Sequence, residues 1–174
     1  MDYRLILVIF VCVFAIFPIV FFLVSKNEKH IKVVYFILTI LYSLVVCVGV
    51  FANIQLNKLI TIEFFDNINN LNKTFNFNLF PNTFQDFIIN ILMFVPLGFL
   101  LMPIFKKHAF VKTLLIGIGF TIMIEILQLV LPISRNPQLS DIILNSLSCL
   151  IGIACFIILK LVSSKLKSKN KKTI

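Results

Sequence analysis

Five apolar runs organise the chain, at about 5–24, 33–52, 87–105, 111–131 and 142–162. Each reaches the roughly 20 residues a helix needs to cross a bilayer. The pattern predicts an all-α protein, a polytopic transmembrane helix bundle of five spans forming one membrane domain over 1–174. The first run is read as a retained span. Its opening Met1-Asp2-Tyr3-Arg4 is not a basic n-region, the run is long, and no A-x-A site follows. Between the second and third spans lies the segment 53–86, rich in Asn and Phe. Its aromatic and apolar residues predict that it rests on the membrane interface, with a candidate amphipathic helix near 60–68.

Polar residues interrupt the apolar runs in a pattern. In the fourth span Thr121, Glu125 and Gln128 are spaced i, i+4, i+7, which places them on one helix face. The fifth span opens with Asp141 and Asn145 at i, i+4, with Ser148 beyond them, and the third with Asp86 and Asn90 at the same spacing. Arg135 lies between the fourth and fifth spans. A charged residue within a span costs about 2.5–3.5 kcal/mol on insertion scales, so such groups face the bundle interior and pair with one another. Lipid offers polar groups no hydrogen bonds. Asn90, Glu125, Gln128, Asp141 and Asn145 are therefore expected to meet in one cluster, with Arg135 paired to Asp141 or Glu125. Such a cluster can be interhelical glue or a polar binding pocket, and the residues alone leave both open. The other end of the bundle has little comparable inside its spans.

Composition agrees. The 174 residues are 60% hydrophobic and 13% charged, with a mean hydropathy of +1.05, against about 45–50% and 25% in a soluble domain. The net charge of +9 would suggest nucleic acid in a soluble protein. Here the basic residues sit in loops and in the tail 163–174, so they are read as topology signals and no nucleic-acid partner is expected. One side of the membrane receives twelve Lys and Arg, the other four. That asymmetry places the N-terminus outside, 53–86 outside and the basic tail inside, against the anionic lipid of the inner leaflet.

Other chemistry is sparse. Cys12, Cys47, Cys149 and Cys155 all fall in apolar runs without metal-ligand spacing, and are read as small buried residues. His30 and His108 fall on the inner side, away from the outer carboxylates, so no metal site and no cofactor are expected. No Ser/His pair shares a depth, which argues against a serine protease. Pro96 and Pro103 are candidate bend positions in the third span. Gly117 and Gly119 are candidates for close helix packing.

These residues resemble the VanZ family of bacterial membrane proteins. The third span reads "NILMFVPLGFLL", with Asn90, Phe94, Pro96, Leu97 and Gly98 on the family pattern. Ile124, Glu125 and Gln128 match its I-E-x-x-Q, and Arg135, Asp141 and Asn145 its R-x5-D-x3-N. "NLFP" at 78–81 resembles the segment that precedes the third span in the family. Two positions depart. Gln138 stands where the family usually has Asp. Ser148 stands where it usually has Gly, which implies a looser helix contact at that level. The resemblance implies a multi-pass protein of the bacterial cell membrane that serves the cell envelope. The family's namesake is associated with resistance to teicoplanin-type glycopeptides. The expected partners are membrane lipids, and a lipid-linked envelope precursor or a glycopeptide at an outer-leaflet pocket. The competing reading is a membrane-embedded transferase or hydrolase acting on a lipid-linked precursor, with Glu125 or Asp141 as base and Arg135 holding a phosphate. A small transporter has thin support, since no pair of broken helices is visible. No signal bears on oligomeric state.

The charge asymmetry is directly testable. An alkaline phosphatase fused after Asn70 should be active, and one fused after His108 inactive. The reverse pattern would put the polar cluster on the cytoplasmic side.

Overall fold

A computed structural model describes residues 14, 16–25, 27–51, 75–81, 83–130 and 136–171, with side chains as far as Lys165. Residues 16–24 are helical and form α1. The remaining helices are α2 (Glu28–Phe51), α3 (Phe84–Leu101), α4 (Ala109–Val130) and α5 (Leu139–Lys171). Among the described residues four helices are long and apolar enough to cross a membrane: Glu28–Val50, Phe84–Ile104, Ala109–Val130 and Leu139–Lys165. They coincide with the second to fifth expected spans. Half of the first expected span lies outside the described residues, as do the candidate helix near 60–68 and most of the 53–86 segment. α5 continues beyond its apolar stretch into the basic tail.

Each helix begins where local chemistry satisfies its free N–H groups. The Asn27 side-chain oxygen accepts from the Lys29 and His30 amides at 2.9 and 3.4 Å, and Glu28 places a carboxylate in the first turn of α2. Thr83 caps α3. Its hydroxyl accepts from the Asp86 amide at 3.1 Å and donates to the Asp86 carboxylate at 2.7 Å. Asp86 is thereby used in a cap. Before α4 the chain turns through His108, whose φ of 54° lies in the left-handed region, and the His108 carbonyl accepts from the Lys112 amide at 3.0 Å.

α3 sits at the centre. It packs most extensively on α5 and also meets α2 and α4. Its approach to α5 is set by two glycines. A Cβ at Gly98 would overlap the Cys149 carbonyl oxygen, and one at Gly152 would overlap the Val95 carbonyl oxygen. The two backbones touch at these positions. A Cβ at Gly117 would come within 2.5 Å of the Cys149 sulfur, so α4 closes on the same point. Gly119 has open space around it and contributes nothing to packing. Ser148 is buried and donates to the Leu144 carbonyl at 2.7 Å. The close contact lies just beyond it, at Cys149 and Gly152. Of the described cysteines only Cys149 is fully buried; Cys47 is half-buried and Cys155 exposed. Cys155 departs from the expectation because it falls on an outward face of α5.

Aromatic rings fill the space between α1, α2, α3 and α5. Phe156 meets Phe22 and Phe99 edge-on at 5.2 and 5.4 Å, and Tyr35 at 6.4 Å. The outer faces carry exposed aliphatic side chains, among them Ile37, Ile40, Leu44 and Val48 on α2. In water such a surface would be costly, and in lipid it is the expected one.

Pro96 stands inside α3 without breaking it, and Pro103 lies in the 3-10 turn Met102–Ile104 that ends the span. A proline has no N–H, so Pro96 leaves the Leu92 carbonyl without its helical donor. Tyr42 of α2 supplies one. Its buried hydroxyl donates to the Met93 and Leu92 carbonyls at 3.0 and 3.2 Å. Tyr42→Phe should cost about 1 kcal/mol of stability in detergent. In a Pro96→Ala background residue 96 regains its N–H, and the same change should cost clearly less. Equal losses in both backgrounds would mean that Tyr42 does not serve the proline.

Candidate functional site

The polar residues of α3, α4 and α5 converge at one end of the bundle. Asn90 lies six residues into α3, Asp141 and Asn145 in the first two turns of α5, and Glu125 five residues from the end of α4. At 1.5 Å per residue these offsets keep all of them within about 9 Å of their helix ends. All are buried: Asn90 is 6% exposed, Asp141 2%, and Glu125, Gln128 and Asn145 3% each.

Hydrogen bonds join the elements. The Asn90 amide donates to the Asp141 carboxylate at 2.7 Å, linking α3 to α5. The Asn145 amide donates to the Thr121 hydroxyl at 2.8 Å, linking α5 to α4 about one turn deeper. The Glu125 carboxylate accepts the backbone N–H of Gln138 at 2.8 Å, immediately before α5. Glu125 thus places negative charge at the positive end of a neighbouring helix, where the macrodipole favours it. A charge-assisted bond of this kind is roughly twice as strong as a neutral one.

The start of α5 has a second tether. Asn76 pairs with Gln138 in a short parallel backbone bridge. The Asn76 amide donates to the Pro137 carbonyl at 2.9 Å, and its carbonyl accepts from the Leu139 amide at 2.8 Å. The Asn76 side chain accepts the Asn78 amide at 3.0 Å, so the segment before α3 turns at this point. The Gln138 side chain lies near the buried Ser140 hydroxyl, at 3.4 Å. Asn76, Gln138 and Ser140 were not among the expected site residues. Their roles depend on backbone pairing between distant segments, which helix spacing does not reveal. Arg135, expected beside Asp141 or Glu125, lies outside the described residues.

Within this network two amides, those of Gln128 and Asn145, are half used. Asn145 Oδ1 is buried without a hydrogen-bond partner. Exchanging the amide oxygen and nitrogen would only transfer the deficit to the other atom, since Thr121 can serve either. An unsatisfied buried polar atom costs about 1–3 kcal/mol. The Thr113 hydroxyl, also buried and without a partner, lies two turns along α4 from Thr121. Among the described residues no three His, Cys, Asp or Glu side chains come together as metal ligands.

The Asn90–Asp141 bond can be weighed separately. Asn90→Leu deprives the Asp141 carboxylate of a buried donor and should cost about 1–3 kcal/mol. Because the two residues touch, Asn90→Leu/Asp141→Leu should cost less than the sum of the single changes. Simple additivity would show that the bond couples nothing.

Comparison with known proteins adds one finding. No curated protein and no solved structure matches the chain. The VanZ/LLP1 family model matches residues 5–160, which include α1 to α4, the polar seam and most of α5. With four membrane-crossing helices described and nearly the whole chain covered by that match, this multi-pass membrane protein belongs to the VanZ/LLP1 family.

Proposed function

We propose that the protein acts in the bacterial cell envelope and contributes to resistance against teicoplanin-type glycopeptides. Its binding site is the polar cluster Asn90, Glu125, Gln128, Arg135, Asp141 and Asn145, facing the outer leaflet. The ligand is a lipid-linked envelope precursor or the glycopeptide itself. The observation that carries the reading is the half-used amide of Asn145, 3% exposed, whose oxygen is one of three buried side-chain oxygens without a hydrogen-bond partner among the described residues of α4 and α5. A seam that served only as glue would leave no buried acceptor open, because nothing in lipid can satisfy it. A hydroxyl or amide donor from a bound molecule would complete it. Family membership and the outward placement by charge asymmetry support the envelope role.

The alternative is a membrane-embedded transferase or hydrolase. Its support is the presence of two buried carboxylates, Glu125 and Asp141, in one layer of the bundle. Glu125→Gln tests the enzyme reading in which Glu125 is the base. The amide keeps an acceptor for the Gln138 N–H but cannot take up a proton.

Deleting the gene should raise teicoplanin susceptibility, and the wild-type chain should restore resistance. Asn145→Leu should fold and insert, judged by its elution in detergent, yet fail to restore it. Glu125→Gln should still restore it. Unchanged susceptibility on deletion, or full resistance with Asn145→Leu, would end the proposal. Loss with a folded Glu125→Gln would move the assignment to the enzyme.

A further inference from the structure

At the end of the bundle opposite the polar seam a cleft of about 740 Å³ opens between α1, α2, the turn after α3 and α5. Its floor is apolar, with Phe22, Met102 and Phe156. Three lysines from three separate elements line it: Lys32 of α2, Lys106 of the turn and Lys160 of α5. Glu28 is the one carboxylate. A second cleft of about 460 Å³ shares Glu28, Lys32 and Lys106 and adds Lys29. Among the described residues none of these lysines is held in an ion pair.

Positive charge in short loops is sufficient to orient a membrane protein, wherever in the loops it sits. Topology does not require lysines from positions 32, 106 and 160 to meet in one cleft. Their meeting calls for an anion. The apolar floor calls for a ligand that is also part hydrocarbon. The volume falls within the range of roughly 300–1,000 Å³ typical of small-molecule sites. The wall continues through Leu161 onto the exposed aliphatic surface of α5, so acyl chains can leave the cleft along the helix without entering water. Lysine stems suit this boundary, since their methylenes lie on apolar surface while the ammonium reaches the headgroup level.

We propose that this cleft is a binding site for an anionic glycerophospholipid, with its phosphate between Lys32, Lys106 and Lys160 and its first acyl segments on Phe22, Met102 and Phe156. The lipid comes from the leaflet at the lysine end, the inner leaflet in the orientation set by charge. Glu28 opposes the phosphate and limits affinity. The site is independent of the role proposed for the polar seam.

The test uses the full chain in nanodiscs of mixed phosphatidylglycerol and phosphatidylcholine, followed by native mass spectrometry of the released protein. The wild type should retain phosphatidylglycerol in preference to phosphatidylcholine. Lys106→Gln, in an exposed turn, should weaken retention about fivefold, and Lys32→Gln/Lys106→Gln/Lys160→Gln about a hundredfold, at the strength of one lysine near an anionic surface. Glu28→Gln should strengthen it. Lys165→Gln/Lys167→Gln/Lys169→Gln removes the same charge from the tail and should leave retention nearly unchanged. Equal loss in the tail and cleft variants would reduce the effect to general surface attraction and overturn the site. Undiminished retention in folded Lys106→Gln would overturn it as well. Competition by inorganic phosphate at concentrations that leave other lipids bound would show a phosphate site and overturn the lipid assignment.

Discussion

The contact between α3 and α5 sets the geometry of everything around it. Gly98 lies on the Cys149 carbonyl and Gly152 on the Val95 carbonyl, and no side chain other than hydrogen fits at either glycine without displacing backbone. Such a contact fixes rotation and register together. Gly98 meets Cys149, and eight residues earlier on both helices Asn90 meets Asp141. The equal offset means that the helices run parallel and stay in step over rather more than two turns, about 12 Å. The buried amide finds its carboxylate because the backbones were placed by glycine, and the bond in turn resists sliding. Van der Waals contact supplies the close approach, which is the dominant kind of attraction between helices in lipid, and the polar pair selects one register.

The same physics explains Tyr42. A backbone carbonyl without a donor is expensive inside a membrane, so a proline in a central helix creates a debt that another element must settle. Tyr42 settles it for Pro96 and thereby fixes α2 to α3. Tyr35 donates to the Pro18 carbonyl at 2.7 Å and joins α1 to α2, at a carbonyl whose helical donor the proline does not remove. Tyrosine hydroxyls bonded to backbone carbonyls thus link α1 to α2 and α2 to α3. A bundle held by apolar contact alone would have no such fixed points, since lipid competes for apolar contacts on nearly equal terms.

The second to fifth spans were legible because twenty apolar residues have few other uses. Their starts fell several residues earlier than hydropathy suggests, since the caps and first turns of α2, α3 and α5 are polar. Membership of the seam was legible for the same energetic reason that its residues are costly. Asn90, Thr121, Glu125, Asp141 and Asn145 lie at helical spacing in apolar runs and had to meet. What spacing could not show was partner choice. Glu125 bonds to a backbone N–H at Gln138, and the Asn76 backbone closes over the start of α5. Both depend on where an irregular segment runs. Nor could spacing rank the glycines. Gly119 and Gly152 look alike in a chain of apolar neighbours, yet one faces open space and the other the Val95 carbonyl. The lysines were visible as charge and as topology; their meeting in one cleft is a property of the fold.

The two ends of the bundle therefore treat polar groups in opposite ways. At one end they are few, uncharged or acidic, buried, and bonded across three helices. At the other they are basic, on long side chains, and arranged around a cleft. Burial is tolerated for the first set because most donors and acceptors are matched by neighbours, with the Asn145 amide oxygen among the exceptions. The second set needs no matching partners, because ammonium groups at the membrane boundary retain water and counter-ions. A ligand reaching the seam must supply a hydrogen bond that the fold lacks, and it gains by removing a buried deficit. A ligand reaching the lysine cleft must instead compete with water for groups already solvated, and it gains chiefly through charge and acyl contact. Recognition at the seam should accordingly be selective in hydrogen-bond geometry and little affected by salt, whereas recognition at the cleft should be tolerant of headgroup shape and weakened by salt.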